Sequence, residues 1–141
     1  MGYRFVGFFA QAGDELLEAA GQQWPGVRRK RIRDPFIGIG VASPEIVYAD
    51  TYEDWERAIE VAFDIEDGLP DWSNRYPDVL FVFIDEDCFG GTCLCEGYAC
   101  RNGAILERAD SDGALDRLVA HLGVKLRRGY FAPFRRGYFD G

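Results

Sequence analysis

Residues 79–103, VLFVFIDEDCFGGTCLCEGYACRNG, hold six unbroken apolar residues, then three acids, then all four cysteines of the protein. The run at 79–84 is made of β-branched, aromatic and Leu residues and has strand length. It predicts a central strand buried on both faces. Asp85, Glu86 and Asp87 predict the end of that strand, and Cys88-Phe89-Gly90-Gly91 a turn. A second strand over 92–101 runs back, and Asn102-Gly103 is a two-residue hairpin signal leading into a third over 104–108.

Upstream lies the clearest helix, predicted over 51–66, with Asp50 and Glu53 as a capping pair. Tyr52, Trp55, Ile59, Ala62 and Phe63 recur at helical spacing and predict its buried face. Gly68-Leu69-Pro70 is expected to stop it, with 71–77 as a connector pinned by Trp72 and Tyr76. Earlier still, residues 3–9 carry aromatics on both parities and read as a strand buried on both faces. Asp14, Leu16, Leu17 and Ala20 make a short helix, which Gly21 is expected to end. Residues 27–33 (VRRKRIR) read as an edge strand whose charges oppose edge-to-edge pairing and offset the protein's own acids. Residues 36–42 (FIGIGVA) read as a strand with Ile37, Ile39 and Val41 toward a core. Their Gly-x-Gly is a weak cofactor signal, since no third glycine opens a helix after it.

Downstream, Asp110-Ser111-Asp112 caps a last helix over 113–122, with Leu115, Leu118, Val119 and Leu122 as its stripe. His121, the only histidine, falls in the final turn, where a cation suits the helix dipole. The tail repeats Arg-Arg-Gly-Tyr-Phe at 127–131 and 135–139. Its aromatics are expected to cover an open flank of the core while its arginines pair with acids. The whole is thus predicted as a single α+β domain over 1–141, with 124–141 an Arg/aromatic C-terminal segment packed on it. A mostly antiparallel sheet of five or six strands carries three helices, in the order β-α-β-β-α-β-β-β-α.

The net charge of −8 is unevenly spread. Residues 1–33 carry six basic and three acidic residues, residues 34–100 two basic and sixteen acidic, and residues 101–141 eight basic and five acidic. The middle section therefore repels nucleic acid and anionic lipid and favours a cationic partner. No apolar run reaches the length of a membrane span, and no export signal is legible. A cytoplasmic location with reduced thiols is expected.

The cysteines read C-x4-C-x-C-x4-C. Cys88, Cys93, Cys95 and Cys100 are the candidate set for a structural zinc centre. Parity opposes it, because Cys93 and Cys95 share one strand face while Cys100 has the other. No metal and no cofactor is therefore expected, and the cysteines read as small buried residues with one cross-strand disulfide open to them. Asp85 and Asp87 share a face and Glu96 can join them across the hairpin, but no lysine, histidine or serine obviously partners them. With no nucleophile elbow, phosphate loop or HExxH motif, no catalytic residue is assigned. Acids exceed what capping or solubility requires at Glu53, Asp54, Glu56 and Glu60 on the long helix, and at Asp85, Glu86 and Asp87. These are the candidate partner-binding residues.

In its size, acidity, aromatic content and α+β architecture, the whole chain resembles the immunity proteins of bacterial toxin systems. That resemblance implies a non-catalytic protein that inhibits a cognate toxin by covering its basic active site. Membrane and nucleic acid are not the partners it implies. The alternative is a metal- or thiol-dependent enzyme or sensor built on the 88–100 hairpin.

Overall fold

Tyr3–Ala10 (β1) carries apolar side chains on both parities and takes a central place in the sheet. The computed structural model describes residues 2–140. The other strands are Arg28–Ile32 (β2), Gly38–Ala42 (β3), Phe81–Phe89 (β4), Thr92–Arg101 (β5) and Ala104–Ala109 (β6), and the helices are Asp14–Gln23 (α1), Tyr52–Ser73 (α2) and Ala114–Ala120 (α3). The fold is α+β in the expected order, with two short 3-10 turns, Ala132–Phe134 and Tyr138–Asp140, near its end. The six strands lie in the order β2-β3-β1-β4-β5-β6, every neighbouring pair antiparallel.

Alternation splits the core into two layers. Val6, Phe8 and Ala10 pack with Phe81 and Phe83 under α1 and α2, against Trp24, Ile65, Leu69 and Trp72. Phe5, Phe9, Val82 and Ile84 face the other way, under α3 and the C-terminal segment, against Leu118, Val119, Leu122 and Phe131. The tail aromatics cover that flank as expected: Phe131 stands 5.2 Å from Phe9 and Phe134 5.1 Å from Phe5, centroid to centroid. Gly40 leaves room for them, since a Cβ there would stand 2.9 Å from Ile32, 3.0 Å from Phe9 and 3.1 Å from Phe139. The tail arginines depart from expectation. Among the described residues none joins an ion pair with the acidic middle; Arg136 lies instead over the Tyr48 ring at 4.7 Å.

The long helix differs from its sequence reading in three ways. Its buried residues are Ala58, Ala62, Ile65, Leu69 and Trp72, spaced by four, three, four and three, whereas Tyr52, Trp55 and Phe63 are exposed. Small alanines let the helix sit close to the sheet, and the bulky aromatics are displaced to its flank. Its N-cap is Thr51, whose Oγ1 accepts from the Asp54 amide at 3.0 Å, in place of the Asp50 pair. It also continues through Gly68 and Pro70 to Ser73. Proline has no amide hydrogen, so the Glu66 carbonyl four residues back lacks its helical donor. The Tyr98 hydroxyl supplies one at 2.6 Å. Ser73 Oγ in turn donates to the Pro70 carbonyl at 2.6 Å and accepts from the Gly103 amide at 2.9 Å, tying the helix end to the β5–β6 turn.

β4 likewise runs through its three acids to Phe89. The turn contracts to Gly90-Gly91, with φ of 60° and 84°, and Asn102-Gly103 repeats this with 50° and 80°. Positive φ at both central residues is the type I′ hairpin turn, which matches strand twist. β2 forms one edge of the sheet as expected, and its cations meet local partners. Arg28 pairs with Glu45 at 3.2 Å and Arg31 with Asp14 at 2.6 Å, while Lys30 donates to the Tyr138 carbonyl at 2.8 Å. In β3, Ile39 and Val41 are buried, but Ile37 precedes the strand and is exposed.

Candidate functional site: an acidic, aromatic-rimmed face

Strand alternation sorts the three β4 acids to opposite sides of the sheet. Asp85 and Asp87 follow Phe83 toward the α2 side; Glu86 follows Ile84 toward the α3 side. The type I′ turn then fixes the cross-strand partners: Asp85 lies opposite Glu96, Asp87 opposite Leu94, Glu86 opposite Cys95 and Cys88 opposite Cys93.

On the α2 side two adjoining clefts open beyond the helix. One, of about 260 Å³, is lined by Arg4, Asp85, Asp87, Leu94, Cys95, Glu96 and Asp110. The other, of about 280 Å³, adds Glu66, Tyr98 and Arg108 and shares Glu96 and Asp110. Asp85 is 8% exposed and is held by Arg4, whose Nε and Nη2 donate to the two carboxylate oxygens at 3.1 and 2.9 Å. It belongs to the fold, within β4 and not at its end. Glu66 gains no such partner. Burial raises its carboxyl above the usual range, and Asp85 and Glu96 push in the same direction.

The rim is apolar. Phe63 (59% exposed) shares a small hollow with Arg4 and Asp85, and Leu94 (70% exposed) projects from β5. Tyr52 and Trp55 continue the exposed stripe along α2, their ring centroids 5.6 Å apart. Glu53, Asp54, Glu56 and Glu60 are exposed on the same helix, and Asp87 is exposed on the hairpin. Of the seven acids singled out in the sequence, these five are free to meet a partner. The aromatic rim was missed because helical spacing alone does not tell a core-facing stripe from its neighbour. The signal was the second stripe, Ala58, Ala62, Ile65, Leu69 and Trp72.

No histidine lines these clefts, and the one cysteine that borders them, Cys95, belongs to the other side of the hairpin. His121 caps α3 and contacts Glu107 at 2.7 Å, and Arg117 binds the same carboxylate. These two partners hold the Glu107 carboxyl below its usual range. The trio clamps α3 to β6.

On the opposite side of the hairpin, Cys88 and Cys93 form a disulfide, with Cα atoms 4.0 Å apart. A non-hydrogen-bonded antiparallel pair brings Cα atoms this close, which is why these two of the four join. Cys95 is half-buried beside Glu86, and burial with that carboxylate pushes its thiol up to about 12. Cys100 is buried in the α2-side core, and burial pushes it up to about 11. The four cysteines therefore do not converge: Cys100 is separated from the other three by the sheet. Among the described residues, one group of metal-ligating atoms is close enough to share an ion, namely Glu86, Cys88 and Cys93.

The basic strand and the tail also come together. Arg28, Arg135 and Arg136 border a hollow of about 600 Å³ with Tyr3, Tyr48 and Tyr138. Arg28 is committed to the Ser43 carbonyl at 2.8 Å and to Glu45. No protein-family model, no curated protein and no solved structure matches the chain.

Proposed function

We propose that this chain is a non-catalytic binding protein whose α2–hairpin face covers a basic surface of a protein partner, in the manner of a bacterial immunity protein acting on its toxin in the cytoplasm. The observation that carries this reading is that Tyr52, Trp55 and Phe63 are exposed alongside Glu53, Glu56 and Glu60 on α2, and Leu94 alongside Asp87 and Glu96 on the hairpin. Aromatic anchors in an acidic field suit an interface whose rings give residence and whose charges speed encounter. A basic catalytic cleft is the surface such a face complements. No helix of the structure is long and apolar enough to cross a membrane.

The test is calorimetric binding to the product of the adjoining reading frame. Trp55→Ala and Phe63→Ala should each weaken the complex by about 2 kcal/mol, as buried anchors do. Glu56→Lys with Glu60→Lys should slow association and remove its salt dependence. Asp112→Lys with Asp116→Lys, on the far side of the sheet, should change neither. Equal binding by all of these proteins would discard the acidic interface. A second reading, a metal- or thiol-dependent sensor, is favoured by the Glu86–Cys88–Cys93 cluster.

A further inference from the structure

Four potential metal ligands occupy neighbouring positions on the α3-side face of the β4–β5 hairpin. Cys88 faces Cys93, and two residues further from the turn Glu86 faces Cys95. A strand's side-chain period is two, so these four form the corners of one small rectangle on one face. The Glu86 oxygen and the Cys88 and Cys93 sulfurs already lie within 4.8 Å of one another, and the Cys95 thiol is hydrogen-bonded to Glu86. Glu86 is the unusual member. It is 7% exposed, yet among the described residues no ion pair includes it. A buried carboxylate turned toward three sulfurs has the surroundings of a ligand rather than of a core residue.

We infer that, once the Cys88–Cys93 disulfide is reduced, this face of the hairpin binds one zinc ion through Cys88, Cys93, Cys95 and Glu86. Three thiolates and one carboxylate form a closed tetrahedral set of the kind structural zinc takes. The disulfide holds two of the four ligands, so oxidation and metal binding exclude each other. Reduction by a dithiol of the thioredoxin class breaks the Sγ–Sγ bond. The dithiol supplies two electrons and two protons and leaves as its own disulfide. Zinc then displaces the three thiol protons to solvent, and the ionised Glu86 completes the site. Cys100 takes no part, because the sheet lies between it and the centre. The site is on the opposite side of the sheet from the proposed binding face and does not depend on it.

The experiment uses the full chain, oxidised or reduced with a phosphine that is then removed. Each form is titrated with Zn²⁺ against a chromophoric chelator, and separately with Co²⁺ to read ligand type. The reduced protein should bind one ion per chain and show sulfur-to-cobalt charge-transfer absorption with tetrahedral d–d bands. The oxidised protein should bind none. Cys93→Ser and Cys95→Ser should abolish tight binding, while Cys100→Ala should retain it. Glu86→Gln should weaken it by at least about tenfold, the scale at which even outer partners of a metal site matter. The reduced wild-type spectrum needs no variant to fold, so it decides the question by itself. Absence of a thiolate band, or equal uptake by the oxidised protein, would overturn the assignment. So would loss of binding in a folded Cys100→Ala protein.

Discussion

The Tyr98 hydroxyl donates to the Glu66 main-chain carbonyl at 2.6 Å, and that carbonyl is the one Pro70 leaves without a helical donor. A strand side chain thus completes the hydrogen bonding of a helix whose own sequence breaks it. Tyr98→Phe should cost about 1–2 kcal/mol, the penalty for leaving one buried acceptor unpaired. Pro70→Ala restores the amide and should remove most of that cost when the two changes are combined. Urea denaturation of the four proteins of this cycle measures the coupling. Equal losses in both backgrounds would show that the hydroxyl serves some other purpose.

The bidentate Arg4–Asp85 pair joins the two central strands β1 and β4, with Asp85 buried and Arg4 half-buried. Asp85→Lys places a second cation beside Arg4 and should destabilise by roughly 3 kcal/mol, the range for breaking a buried pair. Asp87→Lys, two residues on and exposed, should shift stability by less than about 0.5 kcal/mol. Thermal melting separates them. Similar melting of both variants would mean that the pair contributes no more than a surface contact.

Two glutamates should give opposite pH signatures. The Glu66 carboxyl is raised in the folded state, so the folded protein binds its proton more tightly than the unfolded chain does. Its contribution is complete below the unfolded pKa and is lost as pH rises through the folded one. Glu66→Gln should therefore raise stability at neutral pH and flatten that loss. The Glu107 carboxyl is lowered by His121 and Arg117, so its contribution is present above the unfolded pKa and lost as pH falls through the folded one. Glu107→Gln should remove stability at neutral pH and little in acid. Denaturation midpoints followed from below the ordinary carboxylate range up to neutral pH, compared with wild type, check both signs.

The first copy of Arg-Arg-Gly-Tyr-Phe offers an internal comparison. Phe131 is buried against Phe9, and its neighbour Tyr130 is exposed. Phe131→Ala should cost about 3 kcal/mol, as emptying an aromatic site in a core does. Tyr130→Ala should cost less than about 0.5 kcal/mol. A large loss for Tyr130→Ala would show the tail packing differently from the arrangement described.

Local chemistry made much of the fold legible. Apolar residues on both parities placed β1 and β4 inside the sheet, and Asn102-Gly103 marked its turn by the φ values that only a few residues tolerate. What was not legible depended on residues distant in sequence. Gly68 and Pro70 carry a local stop signal, and distant groups such as the Tyr98 hydroxyl, 32 residues from Glu66, and the Gly103 amide override it. The exposure of Trp55 and Phe63 followed the same logic, since the competing alanine stripe is weak in hydrophobicity but strong in fit. Asp85 could not be told from Asp87 without Arg4, which lies 81 residues away. The cysteine pairing became readable only with the turn placed at Gly90-Gly91, which sets Cys88 opposite Cys93 and Glu86 opposite Cys95.

The covering of Phe5 and Phe9 bears on how this protein is made. Both rings lie in the first strand, and the rings that shield them, Phe131, Phe134 and Phe139, lie in the last described stretch. While the ribosome is still adding residues, the α1–α2 side of β1 can assemble, but on its other side Phe36 alone among the aromatics outside β1 packs on Phe9 until the tail follows. A chaperone that grips short aromatic segments would find its target here during synthesis and lose it when the tail arrives. For this chain the C-terminal segment completes the cover over its first strand.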